Sequence, residues 1–148
     1  MTARQPETRD GYVHFSRITT RWNDNDVYGH VNNVVYYSYF DTVVNKFLID
    51  GKCLDLQQSS IVGLVVETQC QYFRPITFPD TVDAGIRVAK LGSSSVRYEV
   101  GLFRNDDHQT AAQGHFVHVY VDRLTNKPVT IPDATRSLLL TLLSGSAV

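Results

Sequence analysis

The chain has little cysteine: Cys53 and Cys70 are the only two in 148 residues. Two cysteines build no disulfide framework, and their spacing fits no zinc signature. Both read as reduced thiols, Cys70 as a small core side chain. Nowhere is there a run of about 18 consecutive apolar residues, the length that marks a membrane-crossing helix. The opening "MTARQPETRD" has no apolar stretch of the secretory kind. The expectation is a soluble, cytoplasmic protein with no membrane partner. An excess of one charge is lacking too. The formal net charge is -1, whereas a dedicated nucleic-acid binder carries a marked basic excess, so no nucleic-acid partner is expected. Internal repeats, low-complexity tracts and long linkers are absent. So are H-E-x-x-H, G-x-S-x-G and phosphate-binding glycine motifs.

What is present is an ordinary globular composition, 43% hydrophobic and 20% charged. It suits one domain over residues 1–148 with a real hydrophobic core, residues 1–10 being a flexible end. Residues 12–22, "YVHFSRITTRW", are β-branched and aromatic and predict a first strand. From Val34 to Asp50 the polar residues Ser38, Asp41, Thr42 and Asn45 recur at spacings of three and four. They leave Tyr36, Phe40, Val43, Val44 and Phe47 on the other side, which predicts an amphipathic helix. Its β-branched and aromatic content is poor for helix propensity, so burial must hold it. Gly51 suits the position just past its end.

The period then changes to two. Val62, Leu64, Val66, Cys70 and Tyr72 alternate with polar residues, then Val82 to Val88, then Val96 to Leu102, and a fourth run spans Ala111 to Val121. The turns "RPITFPD", "KLGSSS" and "RNDDHQ" separate them. One-sided alternation with short connections predicts an antiparallel meander. Pro132 and Asp133 open a short C-terminal helix, residues 132–143. A long apolar helix and one sheet bury each other only if the sheet wraps the helix. The open edges of such a sheet favour pairing into an oligomer. The fold class is α+β.

Between first strand and helix lies "DNDVYGHVNN", residues 24–33. As an EF-hand loop it fails: the fifth position is Tyr28 and the twelfth is Val35, where oxygen ligands are required. No metal is expected. Asn32 or Asn33 is the N-cap of the helix. The first backbone N–H groups have no intrahelical partner and, with the helix dipole, form a site for a developing oxyanion. A carboxylate a few residues earlier can deliver water, or itself, to a carbonyl held there. Gly29 lets backbone and substrate approach closely.

At these residues the sequence resembles a family. "D-x-D-x-x-G-H-V-N-N" over Asp24–Asn33, followed by an aromatic-rich helix, is similar to the 4-hydroxybenzoyl-CoA thioesterase-like branch of the hot-dog-fold acyl-CoA thioesterases. The similarity runs from about Ile18 to Val121. It implies a hot-dog fold, a sheet wrapped around one long helix. It also implies a homodimer or homotetramer with an interface site, and hydrolysis of a fatty or aromatic acyl-CoA without metal or other cofactor. The family's catalytic aspartate falls on Asp26, and its oxyanion N–H on Asn33 or Val34. Some branches carry tyrosine or histidine where this chain has Asn32 and Asn33, so histidine assistance from those positions is not available.

Each candidate has a plainer alternative. Asp26 alone would be an Asx-turn residue; Asp24 suits a structural role, bonding loop amides or bracing Asp26. His30 either polarises the thioester or orients Asp26, or simply ties the loop together. Asn32 and Asn33 serve as caps before they serve as substrate ligands. Tyr28, Tyr36, Tyr37, Tyr39 and Phe40 line an acyl pocket or fill the core. Glu67 reaches the site or is a solvated carboxylate. Ser94 and Ser95 lie where the resemblance places the pantetheine channel, or form a plain hairpin turn. Arg74, Arg87, Lys90 and Arg97 are candidates for the nucleotide phosphates. The rival function is a hot-dog protein that binds acyl-CoA or an acyl carrier protein without hydrolysing it.

Overall fold

The computed structural model describes residues 5–55, 57 and 59–143. Five strands and two α-helices follow in the order β1 (His14–Thr19), α1 (Asn33–Asp50), β2 (Ile61–Tyr72), β3 (Thr81–Leu91), β4 (Ser95–Arg104), β5 (Ala112–Asp122) and α2 (Asp133–Leu140). The five strands make one sheet in the order β1-β3-β4-β5-β2, every pair antiparallel.

Helix α1 forms where the polar spacing predicts it, one residue earlier than Val34. It buries Tyr36, Tyr39, Phe40, Val43, Val44, Phe47 and Leu48. Against them the sheet sets Val82, Ala84, Ile86 and Val88 of β3 and Val96, Tyr98, Val100 and Leu102 of β4, all fully buried. Both sheet edges reach this one helix. The His14 ring of β1 lies 5.1 Å from that of Phe47, and the Tyr72 ring of β2 lies 4.9 Å from that of Tyr36. Five strands at about 4.8 Å spacing are wider than a helix, so both edges touch it only because the sheet wraps it. Gly51 ends α1 without a left-handed φ; a Cβ there would run into Leu138 of α2.

Three expectations about the strands need correction. The expected first strand over 12–22 is shorter, because Asp24 accepts the Arg21 N–H at 2.9 Å and curls Trp22–Asp24 into a 3-10 turn. The expected four-strand meander holds only for β3, β4 and β5. β2 pairs with β5 at the far edge, so residues 73–80 carry the chain past the start of α1 to β3. Alternation reports which face a residue takes, not which neighbour its strand has. Within β2 the expected inward set is half wrong. A bulge between Val65 and Glu67 shifts the register against β5, and the extra residue reverses the side-chain parity. Cys70 and Tyr72 share the face of the buried Phe116 of β5, whereas Val62 and Leu64 lie on the other. Cys70 is half-buried, its thiol pushed up to about 11 by burial.

The expected loose N-terminus is pinned from Gln5 onward; residues 1–4 lie outside the described residues. Glu7 N–H donates to Gln113 Oε1 at 2.9 Å, Arg9 pairs with Asp83 at 2.7 Å and Arg87 bridges Glu7 and Glu99. At the other end of the chain α2 is shorter than 132–143, and the Val88 N–H donates to the Leu142 carbonyl beyond it at 2.7 Å.

Candidate active site

The loop leading into α1 is held by the chemistry of its own residues. Asp24 is buried, with one oxygen accepting the Arg21 N–H and, at 2.8 Å, the hydroxyl of Tyr39 on α1; the other takes the Arg21 guanidinium at 3.0 Å. Burial alone would raise its pKa, but the Arg21 amide, the Tyr39 hydroxyl and the guanidinium together hold the carboxyl below the ordinary value. Its main-chain carbonyl accepts the Asn32 N–H at 2.8 Å. Asp24 therefore joins loop and helix, and its structural role, though not a bond to Asp26, is as expected.

Residues 26–30 form a tight excursion closed by the Asn25–Val31 bridge and by the Asp26 N–H donating to the His30 carbonyl at 2.9 Å. Gly29 supplies its turn at φ +82°, a left-handed value that favours glycine. Asp26 does form the Asx turn, its Oδ1 accepting the Tyr28 N–H at 2.9 Å. Among the described residues no donor reaches its Oδ2.

Asn32, not Asn33, is the N-cap: its Oδ1 accepts the Val34 N–H at 3.0 Å, and its carbonyl takes the Val35 N–H at 2.9 Å. The Val34 N–H is thereby occupied. The Asn33 N–H has no acceptor among the described residues, so the two alternatives for an open donor reduce to Asn33.

Asp26, Tyr28, His30 and Asn33 line one open cleft of about 580 Å³, together with the buried Tyr36 and the more exposed Tyr72. The Tyr36 hydroxyl accepts the Ile76 N–H at 3.3 Å, and the Tyr72 hydroxyl donates to the Asn33 carbonyl at 3.1 Å. Burial raises both phenols above their ordinary value. The His30 ring is exposed and makes no hydrogen bond among the described residues; the loop is tied by its main-chain carbonyl, so a tying role for the ring is not what the structure has. Tyr39 and Phe40 belong to the core.

Other candidates do not converge here. Glu67 bonds His115 at 2.6 Å on the sheet face turned away from α1. Ser94 and Ser95 sit at the opposite end of the sheet, where the Ser94 carbonyl accepts the Tyr120 N–H at 2.7 Å. Arg74 lines the cleft, but its fork is engaged by Asp107 and Gln109. Arg87 is committed to its two glutamates. Tyr72 is a cleft residue that the sequence pattern did not single out. It meets α1 across a separation of 39 residues, and no local signal encodes that contact. Among the described residues no group of three or more His, Cys, Asp or Glu is placed to hold a metal.

Comparison with known proteins bears on what this cleft is for. The model of the thioesterase-like superfamily matches residues 20–139. The crystal structure of the PA5185 protein from Pseudomonas aeruginosa strain PAO1 is 49% identical, covers 95% of this chain and 99% of that one, and superposes with a TM-score of 0.93. A thioesterase from Thermus thermophilus, solved in complex with coenzyme A and Zn, is 31% identical over 90% of this chain and 96% of its own, with a TM-score of 0.74. Protein YsmA of Bacillus subtilis strain 168 is 25% identical over 134 residues, 90% of each chain. The chain belongs to the thioesterase-like superfamily, and its fold is the hot-dog fold.

Proposed function

We propose that the protein is an acyl-CoA thioesterase that hydrolyses a fatty or aromatic acyl-CoA to the free acid and CoA. One observation carries the reading. A carboxylate oxygen and a helix N-terminal N–H, both without partners among the described residues, border the same cleft at Asp26 and Asn33. The thioester carbonyl rests against the start of α1, where the Asn33 N–H and the helix dipole stabilise the oxyanion. Asp26 Oδ2 attacks the carbonyl carbon and expels the CoA thiolate, leaving an anhydride that water then opens to the free acid and the aspartate, or it takes a proton from a water that attacks the carbonyl and expels the thiolate directly. Single turnover in isotopically labelled water distinguishes the two, since only the first leaves label in the protein. His30, beside them, hydrogen-bonds the thioester from the mouth of the cleft. Tyr28 and Tyr36 contact the acyl group. The coenzyme A bound to the Thermus relative supports CoA as the carrier.

Asp26→Asn is the decisive variant, because its Oδ1 can still accept the Tyr28 N–H while the charge is lost. It should melt with the parent and release free thiol from acyl-CoA at least about 100-fold more slowly, the scale of positioned acid–base catalysis. Hydrolysis at the parent rate would refute the assignment. A parent that binds acyl-CoA but releases no thiol would instead establish the binding protein.

The assembly we propose is a homo-oligomer paired along β2. That strand is an open edge, with Leu64, Val65 and Val66 exposed at 43%, 46% and 60%. Antiparallel pairing of two copies puts the Ile61 end of one β2 beside the Tyr72 end of the other. The Ser94–Ser95 turn of the second copy then lies nearer this cleft than its own turn does.

A further inference from the structure

Buried polar side chains are nearly always hydrogen-bonded, so a cluster that is not calls for an occupant. His118 Nδ1 is buried without a partner among the described residues, and beside it the buried hydroxyls of Tyr98 and Tyr120 approach each other without closing a hydrogen bond of ordinary length. They belong together: the His118 ring lies 5.6 Å from that of Tyr98 and 6.5 Å from that of Tyr120, on the inner face of β4 and β5. His118 and Tyr120, exposed at only 2% and 4%, line a partly open pocket of about 210 Å³. Its other walls include Leu48 and Asn45 of α1, Leu54 and Ile61. No Asp, Glu, Lys or Arg among the described residues lines it. Asn45 lies about 18 Å along α1 from Asn33, at 1.5 Å per residue. The cavity is separate from the Asp26 cleft.

Gly63 keeps this space open. A Cβ there would come 2.9 Å from His118 Nδ1 and cover the unpartnered nitrogen. Burial also holds His118 in its neutral form near neutral pH, its pKa lowered to about 4. A neutral imidazole and a phenol hydroxyl, with no charge nearby, suit a ligand group that both donates and accepts, and a hydroxyl is the smallest such group. A carboxylate would find no counter-charge.

We propose that this cavity is a second binding site, for a slim uncharged molecule or group whose apolar body ends in a phenol or alcohol hydroxyl held by His118 and Tyr120. The size agrees, since an apolar cavity of about 150 Å³ accommodates benzene. Leu48, Leu54 and Ile61 receive the body. The hydroxyl donates to an imidazole nitrogen and accepts from Tyr120. It can arrive on a free small molecule or as the end of a hydroxylated acyl chain.

The test titrates the full chain, labelled with 15N-histidine, with 4-ethylphenol and with ethylbenzene. The phenol should shift the His118 ring nitrogen signals and bind about fivefold more tightly than ethylbenzene, the scale of one net hydrogen bond. Tyr120→Phe, which removes a single atom, should erase most of that preference without altering ethylbenzene affinity. Gly63→Ala should weaken both probes while thermal melting and circular dichroism report the fold. The proposal is overturned if neither probe moves the His118 signals at millimolar concentration, so that only water fills the cavity. It is equally overturned if Tyr120→Phe leaves the phenol preference intact. Competition assigns the source through binding alone, independently of hydrolysis. Displacement of the phenol by an ω-hydroxyacyl-CoA but not by the plain acyl-CoA identifies the substrate tail, and displacement by neither identifies a free ligand.

Discussion

Replacing Asp24 by alanine should unfasten the loop that carries Asp26, at a cost the geometry lets one estimate. The change strands the hydroxyl of Tyr39, only 4% exposed, and the Arg21 amide, which donate at 2.8 and 2.9 Å. Each such loss costs about 1–3 kcal/mol, more when the acceptor was charged. The guanidinium adds little, because the Arg21 side chain is 73% exposed and solvent screens the pair. The Arg21 amide can also recover water at the surface, which brings the sum to about 3 kcal/mol. For a chain of this size that is roughly 6–12 °C in Tm, at about 2–4 °C per kcal/mol. Asp26→Ala loses only one bond in an exposed loop, from the Tyr28 N–H, so it should cost under about 1 kcal/mol. Differential scanning calorimetry of both variants is the assay. Because the folded-state pKa of Asp24 is depressed, its contribution is present near neutral pH and fades as pH falls below the ordinary carboxyl range. The gap between parent and Asp24→Ala should therefore narrow in acid. An Asp24→Ala protein that melts within about 2 °C of the parent, or above Asp26→Ala, would refute the division of labour between the two aspartates.

Asn33→Pro deletes the open Asn33 donor at the helix start while keeping the helix, since proline suits the first helical position and Asn32, at φ −60° and ψ 138°, already has the backbone proline demands before it. Thiol release should fall about 100- to 1000-fold with little change in Tm; an unchanged rate would remove the Asn33 N–H from the mechanism. His118 predicts an acid-sensitive core. Its folded pKa of about 4 lies below the unfolded 6.5, so the unfolded chain takes up the proton first. Stability present above pH 6.5 is lost as pH falls toward 4, by about 3 kcal/mol at 1.36 kcal/mol per unit. Urea midpoints of His118→Gln should lose this share of the pH dependence, and parallel curves for parent and variant would contradict it. At the open edge, Val66→Lys should shift the protein toward monomer in light scattering; a parent that is already monomeric would remove the β2 pairing.

Much of the site could be read locally. The Asn cap, the glycine turn, the Asx bond of Asp26 and the start of α1 all depend on residues within a few positions of one another. Short-range hydrogen bonds and the helical period encode such features directly. The buried alternation of Val82 to Val88 and Val96 to Leu102 was legible for the same reason. What failed was long-range. Glu67 carries no local sign that His115 will take it on the outer face, nor does Ser94 show that its carbonyl will accept the Tyr120 N–H at the end of the sheet away from its own chain's cleft. The parity of β2 turned on one bulged residue, which alternation cannot report.

By itself, then, the order of residues determined the helix, the meander of β3, β4 and β5 and the loop in which Asp26 sits, because those follow from periodicity, capping and turn chemistry. Only the tertiary structure decided that β2 is the edge, that Tyr72 walls the cleft, that the Val34 N–H is spent on its cap, and that His118 is buried beside Tyr98 and Tyr120. Each of these depends on which distant backbone comes to lie alongside, and strand pairing is a property of the whole sheet rather than of any segment within it.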